Sequence, residues 1–119
     1  MLKHITHLLA ITLILVGQAF AHSPLKSTSP ENNAKLDNIP EMLHLTFSKP
    51  ARIVKVVMTH TNGDASHEMK LELPSKEITD EVHLTPEFMG AGEYTVDWRA
   101  LSEDGHTIKG NFSFMVEGG

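Results

Sequence analysis

The sequence contains no cysteine in its 119 residues, so it offers neither a disulfide nor a thiolate ligand for a soft metal. Acidic residues outnumber basic ones by 15 to 10, which gives a formal net charge of −5. A chain of this charge repels phosphate groups, so nucleic acid and an anionic membrane surface are not expected as partners. The nitrogen and sulfur ligands that remain belong to eight histidines and six methionines.

Long apolar runs are also scarce, and the clearest one lies at the N-terminus. Residues 8–16 (LLAITLILV) follow Lys3 and precede an A-x-A motif at residues 19–21 (AFA). This is the pattern of a secretory signal, and the apolar run is too short to serve as a membrane anchor. We predict that residues 1–21 are a cleaved signal peptide and that residues 22–119 form one small domain, exported to a bacterial periplasm.

Cleavage at that motif makes His22 the first residue of the mature chain. An N-terminal histidine offers two nitrogens to one metal ion, the free α-amine and the ring Nδ1, which close a six-membered chelate ring. The amine has an unperturbed pKa of roughly 7.7–8.0, so a divalent metal can displace its proton near neutral pH. Pro24 has no amide N–H, so successive backbone nitrogens cannot wrap around the ion.

Alternation of apolar and polar residues predicts β-strands over most of the mature chain. Strands are predicted at residues 43–48, 69–73, 81–85, 93–100 and 108–116, and the nearly all-apolar residues 53–59 indicate a more deeply buried strand. One face of the last two strands carries Tyr94, Val96 and Trp98, and then Ile108, Gly110, Phe112, Phe114 and Val116. Gly110 on this face indicates a bulge or close packing. No stretch shows a helical period over three turns, so the sequence predicts a two-layer antiparallel β-sandwich.

Prolines and turn residues set the predicted boundaries of these strands. Pro50 is expected to end the strand at 43–48, because proline cannot donate to a sheet ladder. The Asn-Gly pair at residues 62–63 predicts a hairpin turn. Residues 22–40 show no periodic pattern and are expected to be irregular, pinned to the core by Leu25 and Leu36.

Asp104-Gly105-His106 is the second candidate for metal chemistry. A carboxylate and an imidazole lie two residues apart, and positions i and i+2 of an extended chain point to the same side, so both could bind one ion. Gly105 permits a positive φ if the turn requires it. The same triplet is typical of a hairpin turn with a solvent-exposed histidine, and the triplet alone leaves both interpretations open. Combined with His22, it supplies up to three nitrogens and one oxygen, a tetragonal set that suits Cu(II).

Several stretches make the chain resemble the CopC family of periplasmic copper-binding proteins, and together they span essentially the whole mature domain. They are residues 22–25 (HSPL) with 29–30 (SP), 43–48 (LHLTFS), 55–58 (KVVM), 92–100 (GEYTVDWRA) and 102–106 (SEDGH) with Gly110. The N-terminal histidine and the run from Trp98 to His106 are the specific parts of this match.

The resemblance carries expectations about fold, site and partners. It implies a small antiparallel Greek-key β-sandwich or barrel, immunoglobulin-like or cupredoxin-like. It implies one Cu(II) ion per mature chain, bound by the amine and ring of His22, by Asp104 and by His106. It also implies a CopD-type inner-membrane copper transporter as a partner.

Two departures from the family pattern concern further ligands. Some members place a glutamate, proposed as another Cu(II) ligand, directly after the Phe-Ser of the first long strand, where this chain has Lys49. Some also carry a methionine-rich loop that binds Cu(I), of which Met58, His67 and Met69 remain here. Thioethers are the ligands that select Cu(I), but strand alternation explains both methionines as core residues.

The other histidines have simpler interpretations. His44 and His83 alternate with leucines and are expected to face solvent without taking part in Cu(II) binding. His60 and His67 flank the predicted Asn-Gly turn and could form an adventitious site.

The expected function is non-enzymatic: a monomeric periplasmic protein that buffers Cu(II) or carries it for homeostasis, tolerance or delivery to a membrane transporter. Two alternatives stay open at this point. A histidine brace of this kind is also the copper core of lytic polysaccharide monooxygenases, which use a flat, often aromatic substrate face, whereas this chain has one tryptophan and one tyrosine. The other alternative is an adhesion or interaction sandwich without a metal.

Overall fold

A computed structural model describes residues 24–118 of the chain. The predicted signal peptide and His22 lie outside this range. The described residues form seven strands and no helix: β1 Leu25–Ser29, β2 Ala34–Leu36, β3 Leu43–Asn62, β4 Ala65–Lys70, β5 Thr79–Leu84, β6 Gly92–Ser102 and β7 Thr107–Val116. Consequently, this part of the chain holds no helix that could cross a membrane.

The sheet is organised around β3, which pairs with β1, β4, β5 and β6. The main path runs β1-β3-β6-β7-β2, and its pairings are antiparallel except for β2 against β7, which is parallel. The predicted all-β, mainly antiparallel fold is confirmed. The prediction of an irregular segment before residue 40 was wrong in detail, because two short strands lie there, although Leu25 and Leu36 do pack against the core.

The prediction that Pro50 ends a strand was also wrong, because β3 runs through it without interruption. Proline is tolerated here because β3 changes partners at this point. Pairing with β1 ends at Phe47, and the register with β5 is interrupted between Thr46 and Ala51. Pairing with β6 begins at Ala51. The missing N–H of Pro50 therefore falls in a gap between ladders, where a regular sheet bond is not required.

Residues 53–59 form a half-buried part of β3, not the deeply buried strand that their composition predicted. Ile53 and Val56 are both buried although they lie three positions apart, and Lys55 between them is exposed. The cause is a shift in register against β6 between Ile53 and Lys55, which adds one residue to β3 and changes which alternate positions face inward.

The hairpin turn predicted after β3 is confirmed, with Gly63 at φ 61°. The following strand β4 begins at Ala65 and ends at Lys70, so the predicted strand at 69–73 was wrong in extent and Leu71 and Leu73 lie beyond the observed strand. Leu71 nevertheless stays attached to β3, because its N–H donates to the Val56 carbonyl at 2.9 Å.

The core is built mainly from the inward faces of β3, β6 and β7. Tyr94 is fully buried and stacks on Phe114 at 5.1 Å between ring centroids. Its hydroxyl donates to the Gly90 carbonyl at 2.6 Å and accepts the Met89 N–H, so the buried phenol has its polar atom satisfied. Trp98 is 3% exposed and meets the ring of Phe47 edge-on, as expected for a core residue.

Gly110 leaves space for the indole of Trp98, which lies opposite it in the β6–β7 ladder. A Cβ at this position would lie 2.8 Å from Trp98 Cζ2. We therefore expect Gly110→Ala to lower the free energy of unfolding by about 1–3 kcal/mol, the usual cost of overpacking a core. Asn111→Ala, at an exposed neighbouring position, should change it by less than about 0.5 kcal/mol. Urea unfolding of both variants checks this, and equal midpoints would contradict the close packing.

Candidate metal centre

The turn between β6 and β7 holds the predicted pair Asp104 and His106. Two backbone hydrogen bonds close it: the Ser102 N–H donates to the His106 carbonyl, and the Gly105 N–H donates to the Ser102 carbonyl, both at 2.9 Å. Gly105 has φ 87°, a left-handed conformation that a residue with a side chain rarely adopts. The triplet is thus a tight hairpin turn, and this turn presents the two side chains to solvent.

Asp104 and His106 contact each other directly within the turn. The His106 Nδ1 lies 2.8 Å from Asp104 Oδ2, and the His106 backbone N–H donates to Asp104 Oδ1 at 3.2 Å. The Ser102 hydroxyl donates to the same Oδ1. Because a carboxylate can only accept, Nδ1 carries the proton of this bond, and Nε2 of His106 is the ring nitrogen that can accept a metal.

The hydrogen bonds in the turn also keep the carboxylate charged. The Ser102 hydroxyl, and then the His106 ring and backbone N–H, hold the pKa of Asp104 well below its usual range. Hydrogen bonds to the ionised form favour that form. A negative charge therefore stays beside the imidazole at neutral pH.

The described N-terminal end of the chain lies at the same end of the sheet as this turn. The Ser48 N–H donates to the Pro24 carbonyl at 2.9 Å. Three residues further along β3, Ala51 lies opposite Ser102, where the turn begins. Three residues of extended strand span about 10 Å, so Pro24 and the start of the turn contact β3 at points about 10 Å apart.

The candidate Cu(I) ligands lie mainly in the core. Met58 is fully buried, and Met69 lies directly opposite it and packs against the core. This confirms the interpretation of both as core residues. His67 is exposed on β4, opposite His60.

His60 is a structural residue, which corrects the expectation of an adventitious site with His67. Its side chain is 5% exposed, and its Nε2 donates to the Ala91 carbonyl at 2.7 Å. Gly92 leaves room for this ring, because a Cβ there would lie 2.7 Å from Nε2. The ring is thus held by the loop before β6 and is closed to an incoming ion.

His44 and His83 lie outside the apolar core, as expected, but they are not isolated. They face each other across the β3–β5 ladder, with ring centroids 4.2 Å apart. Glu81 lies next to them, and together these three side chains form a group whose donor atoms all fall within 4.8 Å. This group was not predicted, because its members come from two strands whose register the sequence does not reveal.

Comparison with known proteins assigns the chain to a family. The model of the CopC domain matches residues 25–117. The chain is 34% identical over 115 residues to copper resistance protein C of Escherichia coli, a match that covers 87% of this chain and 90% of that protein. It is 26% identical over 113 residues to the copper transport protein CutJ of Bacillus subtilis, covering 92% of this chain but 20% of that longer protein.

Solved structures give the same result. The chain is similar to the crystal structure of PcoC, a methionine-rich copper resistance protein from Escherichia coli, with a TM-score of 0.61 and 30% identity. This match covers 81% of the present chain and 99% of the PcoC chain. The structural match and the extent of the domain match agree, and the chain belongs to the CopC family.

Proposed function

We propose that this protein binds one Cu(II) ion and buffers or carries it for copper homeostasis, tolerance or delivery. The single observation that carries the proposal is the Asp104–His106 pair, fixed by a closed turn at the end of the sheet where the described N-terminus lies. The names of its relatives, copper resistance protein C and copper transport protein CutJ, support copper as the cargo.

The donor set fits Cu(II) in type and in charge. His106 offers Nε2, while its Nδ1 proton is held by Asp104, an arrangement that orients a metal-binding imidazole. The ionised Asp104 carboxylate partly neutralises the dication, and it becomes an oxygen ligand itself if it releases the Nδ1 proton and turns toward the ion. Imidazole and amine nitrogens with a carboxylate oxygen are ligands that favour Cu(II) over softer ions.

His22 completes the proposed set through its amine and its ring. It precedes Pro24 by two residues, so its Cα can lie at most about 7 Å from that of Pro24. Lys49 is exposed on β3 close to Pro24, and its ammonium group has no lone pair to offer. The proposed site therefore has three residues, without the further carboxylate ligand that some family members place at the position of Lys49.

The proposed setting is the periplasm, where the mature chain acts as a monomer after removal of residues 1–21. The match to CutJ supports delivery to a membrane transporter, because a domain like this one makes up a fifth of a protein named for copper transport. A CopD-type inner-membrane transporter is the proposed partner.

The proposed role is binding and not catalysis. A copper monooxygenase acting on a polysaccharide needs an exposed, often aromatic face, but the chain's one tryptophan and one tyrosine are both buried. Trp98 packs against Phe47, and Tyr94 packs against Phe114. Both rings therefore pack within the core and do not form an exposed substrate face.

Titration with copper in each oxidation state tests the proposal. Protein that begins at His22 should bind one equivalent of Cu(II) tightly, with nitrogen ligands visible by electron paramagnetic resonance. It should hold Cu(I) more weakly, because Met58 is buried in the core and few thioethers are accessible. Addition of a reductant should therefore loosen the metal.

Two outcomes would contradict these expectations. Absence of tight Cu(II) binding by the mature chain would remove the proposed function and favour a sandwich that acts without a metal. A tight Cu(I) site with sulfur ligands, detected by X-ray absorption, would show that Met58 or Met69 leaves the core to bind the ion.

A further inference from the structure

A second group of metal-binding side chains lies on the outward face of β3 and β5. His44 on β3 pairs directly with His83 on β5, and Glu81 comes two residues before His83. Because strand side chains alternate between the two faces, Glu81 and His83 project to the same side. Register pairing places His44 on that side as well. The sheet thus brings two imidazoles and one carboxylate together.

The distances within this group suit a cation between the side chains better than direct contact. His44 Nε2 lies 3.9 Å from Glu81 Oε1, which is too far for a hydrogen bond. One donor atom from each of the three residues lies within 4.8 Å of the other two. Donors bound about 2.1 Å from one ion are themselves about 3–4 Å apart, so small rotations of exposed side chains are sufficient to close the site.

His44 supplies a second, independent observation. Its Nε2 atom is shielded from solvent and has no hydrogen-bond partner among residues 24–118. A buried polar nitrogen without a partner is destabilising, and a metal ion would satisfy it. Glu81 and His83 are exposed, so an ion can reach the nitrogen from the solvent side.

We propose that His44, Glu81 and His83 form a second metal site, for a borderline divalent cation, Zn(II) or Cu(II). Two imidazoles and a carboxylate are a ligand set that both ions accept, and three protein ligands leave a position open for water. His44 and Ala51, which lies beside the β6–β7 turn, are seven residues apart on β3. That separation is about 20 Å in an extended strand, so the second site is separate from the proposed N-terminal one.

A metal at this position would join β5 more firmly to β3. Within the described sheet, β5 pairs with β3 alone, and its register is interrupted after Thr46. A bond from the ion to each strand would restrain β5 against local opening. The bound state should therefore differ from the free state in the hydrogen exchange of β5 amides, as well as in spectroscopic signals from the ligands.

The test uses protein with one extra, N-acetylated residue before His22, because this capped extension leaves no free amine and silences the N-terminal site. Zn(II) is added first, and Cu(II) in a separate experiment. We expect one equivalent of Zn(II) to shift the imidazole NMR signals of His44 and His83 and to slow exchange of β5 amides. His83→Ala and Glu81→Gln should each weaken Zn(II) binding by more than about tenfold, the loss that even an outer-shell partner can cause.

His67→Ala is the matched control, because His67 is also an exposed strand histidine but lies on β4, and it should bind Zn(II) like the parent. Circular dichroism confirms that each variant is folded, and the exposure of His83 makes that variant the decisive one. Unchanged Zn(II) affinity in His83→Ala and Glu81→Gln, or signals that shift at His67 or His106 instead, would overturn the proposal. Failure of the proposed function is distinguishable, since it would appear as equal Cu(II) affinity in the extended protein and in protein that begins at His22.

Discussion

Addition of a single N-acetylated residue ahead of His22 is expected to remove most of the Cu(II) affinity of the mature protein. The extension converts the N-terminal amine into an amide, whose nitrogen has no free lone pair and gives up its proton far less readily. The proposed site then keeps His106 and loses the six-membered chelate of His22. Competition titration against a chelator, with both forms at the same pH, measures the loss.

A control for this experiment is a chain that begins at His22 but carries the same extra residue at its C-terminus. This variant has the same composition and should bind Cu(II) like the parent. Equal affinity in the N-terminally extended and unextended proteins would remove the N-terminal histidine from the site. Mass spectrometry of exported protein would establish in the same sample whether processing occurs before His22.

Replacement of His106 by Ala is expected to weaken Cu(II) binding by several powers of ten. The change removes a nitrogen ligand, and electron paramagnetic resonance should show fewer coupled nitrogens. Asp104→Asn should cost less, because the amide oxygen can still accept the His106 Nδ1 proton while the negative charge is lost. The side chains of His106 and Asp104 are 83% and 67% exposed, so neither change should unfold the protein without copper.

His67→Ala serves as the control for His106→Ala, since both remove an exposed histidine. The sequence favoured His44 and His83 for that purpose, but the structure makes them unsuitable because they belong to another ligand group. Parent-like Cu(II) affinity in His106→Ala, together with weak binding in His83→Ala, would place the copper at the β3–β5 group. Asp104-Gly105-His106 would then be a hairpin turn without a metal role.

Much of the fold followed from alternation, and the errors have a common physical origin. The faces of β6 and β7 were predicted correctly because each strand alternates without a break from Tyr94 to Trp98 and from Phe112 to Val116. The predictions for β3 failed at Pro50 and at Ile53. At both places the strand changes partner or register, and these are properties of the neighbouring strands that a local pattern does not contain.

The candidate sites show the same limit. Asp104 and His106 are two residues apart in the chain, so their contact could be anticipated from spacing alone. His44 and His83 are 39 positions apart, and their contact depends on the β3–β5 register. The signal that could have pointed to them was modest: a histidine at an outward position of each strand, with Glu81 at i−2 from the second.

The length of β3 has a consequence for the order in which the protein can assemble. This strand is the common partner of β1, β4, β5 and β6, and its second half pairs with β6, which begins only at Gly92. Pairing of segments so distant in the chain requires closure of a long loop and makes folding slow. A chain emerging from the ribosome therefore cannot complete its sheet until its last third has been made. The protein is proposed to pass through a secretory channel as an unfolded chain. This delay keeps the polypeptide unfolded, and therefore able to pass through the channel, until synthesis is nearly finished.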